Sequence, residues 1–233
     1  MYRLYLDTCI VNDSFPLIQN QAGGEIGQND LKIPLSRWAA EYVALYHLLD
    51  LDDQWELEFG TSQITLQEID RFIPRNIHAR EKKTFLEDMF EELYKQFARK
   101  CRIESRPIAL LSQRVINILG PVNDAFHICQ AIQAGYDFFV TTDFRTILNH
   151  SSQLEKLMVR TEYQAKLWPH GEWEPIEVIL GVKVCSPLQF LEETFMPLPI
   201  LIRTMYGSWT DPNQLIRDFG QALLQVIGRS RAI

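Results

Sequence analysis

Apolar positions along the chain fall into two alternating rhythms. Short continuous runs, "YRLYL" near the start and "YDFFVTTD" from Tyr136, have the length and β-prone composition of buried strands. Between them, apolar residues recur every three to four positions. "LSRWAAEYVALYHLLDL" sets Trp38, Tyr42, Leu45 and Leu49 on one helical stripe. "EKKTFLEDMFEELYKQFARK" does the same with Phe85, Met89, Leu93 and Phe97, and spaces Glu91 and Lys95 for an i,i+4 ion pair. "IALLSQRVINIL" and "GPVNDAFHICQAIQAG" predict two more helices, separated by Gly120-Pro121 and stopped at Gly135. "TLQEIDRFI" predicts a helix opening at Thr65. "SPLQFLEETF" predicts one with Ser186 as cap and Pro187 in its first position. "WELEFGTSQI" reads as a strand broken at Gly60, "VILGVKVC" as one strand, and "NQAGGEIGQND" as a loop.

Strand and helix therefore alternate, which argues for an α/β domain with a mostly parallel central sheet. The tail from Met196 differs. "MPLPILIRTMYGSW" is apolar and broken by prolines. "DPNQLIRDFGQALLQVI" predicts an amphipathic helix with Leu215, Phe219, Leu223 and Val226 as its stripe. Residues 195–233 thus read as an appendage, whose helix can fold back on the domain or pair in a homodimer.

Composition narrows the class. At 233 residues, 46% hydrophobic and 23% charged, the chain can bury a sizeable core. A net charge of −7 argues against a protein that holds nucleic acid by bulk basicity. It leaves room for a nuclease in which metal ions supply positive charge locally. Cys9, Cys101, Cys129 and Cys185 lie far apart with no CxxC pair, which disfavours a zinc site or a disulfide framework. There is neither a secretory leader pattern nor a window long enough for a membrane span, so the expected location is the cytoplasm. Neither GxGxxG nor GxxxxGK[ST] occurs, which disfavours a nucleotide-binding domain.

The candidate chemistry lies in four carboxylates. In an open parallel sheet, ligands bind beyond the C-terminal ends of the strands. Asp7 ends the first strand and Asp143 follows "FFVTT". Glu68 and Asp124 are expected in the first turns of helices that start at that same edge. Carboxylates brought together raise one another's pKa unless a cation lies between them, and Mg2+ and Mn2+ choose oxygen ligands of this kind. Such a cluster with bound metal is equipment for phosphodiester hydrolysis. Each acid also has a structural use. Glu68 completes a T-x-x-E capping box with Thr65, Asp124 suits a helix N-terminus, Asp143 can cap "FRTIL", and Asp7 can form an Asx-turn.

"YLDTCI", "TLQEI", "NDAFHICQAIQAGYDFFVTTD" and "VKVCSPLQFLEE" resemble the PIN domain and occur in that family's order. The resemblance implies a three-layer α/β/α fold and the activity of a Mg2+- or Mn2+-dependent ribonuclease. Toxins of bacterial toxin–antitoxin pairs belong to that family, so an antitoxin partner comes with the resemblance. Carried over position by position, Asp7, Glu68, Asp124 and Asp143 become the catalytic metal-binding set, and Thr8 and Thr142 match hydroxyl positions beside two of these acids. The framed domain is 1–194, with insertions around 14–58 and 150–179 expected to be helical. Cys9 departs from the pattern, standing where the family commonly has Asn.

Near the acids, Arg145 is a candidate for holding substrate phosphate. His127, three residues after Asp124, is expected to be packed and hydrogen-bonded within the fold. Asp137 reads as a turn residue and Asp13 as undecided. The expected function is hydrolysis of RNA. Two alternatives stand beside it: a catalytically silent PIN-fold interaction module, and a haloacid dehalogenase-like phosphatase. The second lacks the acid it needs two residues after Asp7, where Cys9 stands.

Overall fold

The computed structural model of the chain describes residues 2–12, 35–50, 57–76, 95, 97–105, 112–120, 122–155, 159–167, 173–180 and 182–194. In chain order its elements are β1 (Tyr2–Leu6), α1 (Thr8–Asn12), α2 (Leu35–Asp50), β2 (Leu57–Ser62), α3 (Gln63–Asn76), β3 (Arg102–Glu104), α4 (Ser112–Leu119) and α5 (Val122–Ala134). Then follow β4 (Phe138–Val140), a 3-10 turn (Leu148–His150), α6 (Ser151–Glu155), β5 (Val159–Leu167), β6 (Trp173–Leu180), β7 (Lys183–Cys185) and α7 (Pro187–Thr194). Asp13, most of the predicted helix over 81–100, and the whole tail with its amphipathic helix lie outside the described residues.

Five strands form one all-parallel sheet in the order β3-β2-β1-β4-β7. The apolar runs explain its centre. Leu4, Tyr5 and Leu6 of β1 and Phe138, Phe139 and Val140 of β4 are all buried, as suits strands covered on both sides. Successive side chains alternate faces. Phe139 stacks on Tyr5 at 5.2 Å between ring centroids and joins a cluster with Ile128, Cys129 and Ile132 of α5. Phe138 turns the other way and meets Phe190 of α7 edge-on at 4.9 Å.

Several helix boundaries follow from local chemistry. Gly135 takes φ +74°, and the N–H groups of Gly135 and Tyr136 bond back to Ile132 and Ala131, closing α5 with a Schellman pattern. At α7, Ser186 caps as the sequence predicts, its Oγ accepting the Gln189 N–H at 3.3 Å, and Gln189 Oε1 accepts the Ser186 N–H at 2.8 Å in return. Ser186 Oγ also donates to the buried Glu41 of α2 at 2.8 Å, and Glu41 takes the Leu188 N–H at 3.0 Å. This latch fixes α2 to the start of α7, and the stripe Trp38, Tyr42, Leu45 and Leu49 is buried as its spacing predicts. Ser186→Ala removes a cap and leaves a buried carboxylate oxygen short of a donor. It should cost about 2 kcal/mol, read as a lowered urea midpoint with an unchanged slope.

Four expectations are corrected. β2 runs unbroken through Gly60, because what Gly60 provides is space: a Cβ there would collide with the Tyr136 phenol. "VILGVKVC" divides, with Val178–Leu180 ending β6 and Lys183–Cys185 forming β7. β6 pairs antiparallel with β5, so the insertion over 150–179 is mainly a two-stranded hairpin rather than helical. Finally, α3 opens at Gln63, two residues before Thr65, with Ser62 Oγ accepting the Thr65 N–H at 3.3 Å.

Candidate active site at the carboxyl edge of the sheet

The strand order reverses direction between β1 and β4. Chain order runs outward through β2 and β3 on one side, and through β7 on the other. A parallel sheet opens a crevice at such a switch point, beyond the strand ends, and ligands bind there. Leu6 lies opposite Val140 in the register, so the residues that follow both strands emerge side by side. These are Asp7 on one strand and Thr141, Thr142 and Asp143 on the other.

Asp7 is 3% exposed, and both its oxygens are held. Oδ1 accepts the Thr8 N–H at 2.8 Å and Oδ2 accepts the Thr141 hydroxyl at 2.6 Å. Burial raises its pKa, opposed by the charge of His127 and by these two donors. Thr141 also takes the Asp143 N–H on its Oγ1 at 3.0 Å, so one hydroxyl ties the two strand ends together. The register identifies Thr141, not its neighbour, as the threonine beside Asp7. Thr142, half-buried, accepts the Phe144 N–H on its carbonyl at 3.0 Å.

Glu68 does not sit in a capping box. With α3 starting at Gln63 it lies in the second turn, and its carboxylate reaches across to other elements. Oε1 accepts from Asn123 Nδ2 at 2.8 Å. Oε2 accepts the Thr8 hydroxyl at 2.6 Å and stands 3.0 Å from His127 Nε2. Thr8 is therefore engaged with Glu68 and buried at 5% exposure. His127 is 1% exposed and has Tyr5 OH at 3.0 Å on its other ring nitrogen. Burial alone would lower the His127 pKa. The Glu68 hydrogen bond, together with the charges of Asp7, Glu68 and Asp124, outweighs it and raises the value. Burial likewise pushes Glu68 up, but the His127 bond and charge, Thr8 and Asn123 bring it below its ordinary value. The two shifts, His127 up and Glu68 down, have one cause, the mutual stabilisation of the imidazole and the carboxylate across their hydrogen bond.

Asp124 stands in the first turn of α5, as the sequence indicates. It is half-buried and pushed up to about 6, first by burial and then by the charges of Asp7 and Asp143. Asp143 also does what a cap does: its Oδ1 accepts the N–H groups of Arg145 and Thr146, each at 3.0 Å. Arg145 is exposed on that turn. Asp137 lies at the opposite end of β4, where its Oδ2 accepts the Arg3 N–H at 2.9 Å, away from the acids.

The four predicted acids thus come from four separate segments to one sheet edge and act on one another electrostatically. As the side chains lie, no group of three or more His, Cys, Asp and Glu among the described residues is set close enough to hold a metal ion. The donor chemistry nonetheless fits a hard divalent cation. The donors are carboxylate oxygens, and burial, followed by the charges of Asp7 and Asp143, pushes Asp124 up to about 6, the second cause being one a cation would relieve. Thr141, Asn123 and Tyr5 take part without having been singled out by the sequence. Among the described residues no helix is long and apolar enough to cross a membrane. Comparison with protein-family models, with curated proteins and with solved structures found no match.

Proposed function

We propose that the chain is a divalent-metal-dependent ribonuclease of the PIN type, with a three-layer α/β/α domain around its parallel sheet. The observation that carries this is the meeting of Asp7, Glu68, Asp124 and Asp143 from four segments at the β1–β4 switch point, where burial, and after it the charges of Asp7 and Asp143, push Asp124 up to about 6. Acids held together at such a cost suit a cation and a phosphate more than they suit the fold. Phe138 and Phe139, turned to opposite faces of β4, support the layered arrangement.

Asp7, Asp124 and Asp143 would hold Mg2+ or Mn2+, with Glu68 behind them. When bound, the ion would supply charge neutralisation for the phosphate and a lowered pKa for water. The protein's own part is positioning. Thr141 and the Thr8 N–H fix the Asp7 carboxylate from two sides. His127, bridging Glu68 and Tyr5, keeps a positive charge beneath the cluster and limits its net repulsion of an RNA phosphate. No protein nucleophile is required. A cytoplasmic location and pairing with an antitoxin are part of the same proposal, on the strength of the resemblance.

The test is cleavage of a panel of single-stranded and structured RNAs in Mn2+, Mg2+ or EDTA. Cleavage should need the metal, and Asp7→Asn should lower it at least 100-fold, with circular dichroism unchanged. Cleavage that persists in EDTA, or in the folded variant, rejects the assignment. A protein that binds RNA yet never cuts it would instead be a PIN-fold binding module.

A further inference from the structure

Arg37 and Phe144 are distant in sequence, and neither was singled out by motif. Arg37 lies in the first turn of α2, and Phe144 directly follows Asp143. The Arg37 guanidinium carbon sits 4.0 Å over the centroid of the Phe144 ring. Arg37 is exposed and Phe144 half-buried. Two other arginines of the described residues are used internally. Arg3 holds Glu58 and the Ala134 and Gly135 carbonyls, and Arg102 holds Glu58 and Glu104. Among the described residues Arg37 makes no hydrogen bond or ion pair; its charge acts on Glu41 one turn along α2, and its guanidinium stacks on the residue that follows Asp143.

Both partners are held from behind. Glu41, one helical turn after Arg37, is latched to Ser186 and Leu188, which fixes α2 beside the end of β7. Phe144 is carried on the turn that Asp143 caps through the N–H groups of Arg145 and Thr146. A guanidinium stacked on a ring keeps its plane fixed while its edge stays free to take a phosphate through two parallel hydrogen bonds. In a chain of net charge −7, a polyanion needs such a local cation to approach four carboxylates.

We propose that the Arg37–Phe144 pair is a phosphate clamp, holding the backbone of a single-stranded RNA one step from the acid cluster on the β4 side. This rests on the ribonuclease reading. The clamp acts on phosphate and carries no base preference, so it strengthens binding of any sequence to the same degree. Arg37→Ala removes both charge and stack. Arg37→Lys keeps the charge but loses the bidentate edge, and Phe144→Leu keeps the arginine but frees its plane.

The experiment measures binding of a fluorescent, sequence-randomised 20-nucleotide RNA by anisotropy against salt, with Ca2+ in place of Mg2+, alongside steady-state cleavage in Mg2+. Arg37→Ala should weaken binding about tenfold and reduce the slope of log K against log salt by about 0.7. It should raise KM and leave kcat within twofold. Arg37→Lys and Phe144→Leu should fall between wild type and Arg37→Ala. Binding, salt slope and KM all unchanged in Arg37→Ala, with wild-type cleavage intact, overturn the clamp and leave the nuclease standing. Equal weakening by Arg37→Ala and Arg37→Lys with no change in slope also overturns it, since that marks lost packing rather than a lost phosphate contact. A wild-type protein that neither binds nor cuts the library overturns the clamp and the ribonuclease reading together.

Discussion

Asp124→Asn should raise the melting temperature of the metal-free protein at pH 7.5 while abolishing RNA cleavage. In the folded state Asp124 holds its proton to about pH 6, against an ordinary carboxylate value of 3.8. The native state therefore binds more protons than the unfolded chain in that interval, and stability falls as pH rises from about 4 to about 6. Above pH 6 the whole penalty is present. The group is partly exposed, so solvent screening reduces the nominal figure to about 1 kcal/mol, or roughly 2–4 °C in a chain of this size. Asparagine removes the penalty. At pH 5 the advantage should shrink, because wild-type Asp124 is then mostly protonated. Saturating Mg2+ should stabilise the wild type and leave the variant nearly unmoved. Differential scanning calorimetry at the two pH values, with EDTA or Mg2+, reads all of these. A variant less stable than wild type at pH 7.5 in EDTA would show that the Asp124 charge carries no penalty from burial and its neighbours, and a Mg2+ shift equal in both proteins would show that Asp124 does not take part in holding the ion.

What could be read from the sequence was whatever a single segment determines. Buried strands announce themselves as apolar runs, so β1 and β4 are visible, and with them the two acids that follow. Ser186 and Gln189 form their cap within four residues, and Gly135 stops α5 through its own φ. Which threonine beside Asp143 meets Asp7 depends on the pairing of Leu6 with Val140, a contact between distant segments. The role of Glu68 was hidden for a related reason. Its spacing from Thr65 matches a capping box, yet the helix starts two residues earlier on Ser62, which turns Glu68 toward Thr8, Asn123 and His127. Arg37 carries no local signal at all, since its significance comes from Phe144 more than a hundred residues away. The β5–β6 hairpin was missed because "VILGVKVC" reads as one strand, although Gly181 stands between the end of β6 and the start of β7.

Gly60 was the least legible residue, and its substitution should have the largest effect on stability. A glycine inside a strand pattern suggests a break or a close approach, and sequence alone does not separate the two. Here β2 continues through Gly60, which pairs with Tyr5 on one side and Arg102 on the other. The missing side chain is occupied by Tyr136, 2% exposed, whose hydroxyl donates to the buried Glu104 at 3.0 Å and whose ring meets Tyr5 edge-on at 5.6 Å. A methyl group at residue 60 would collide with the phenol. The ring cannot move without leaving Glu104, so Gly60→Ala combines overpacking with the loss of a hydrogen bond to a buried carboxylate. Together these should cost about 3–5 kcal/mol. Tyr136→Ala alone should cost a similar amount through the cavity it opens. The double variant should lose at least 1 kcal/mol less than the sum, because removing the ring makes room for the methyl. Urea denaturation of the four proteins closes the cycle. A Gly60→Ala midpoint equal to wild type, or strictly additive losses, would mean that Gly60 is there for the backbone rather than for Tyr136.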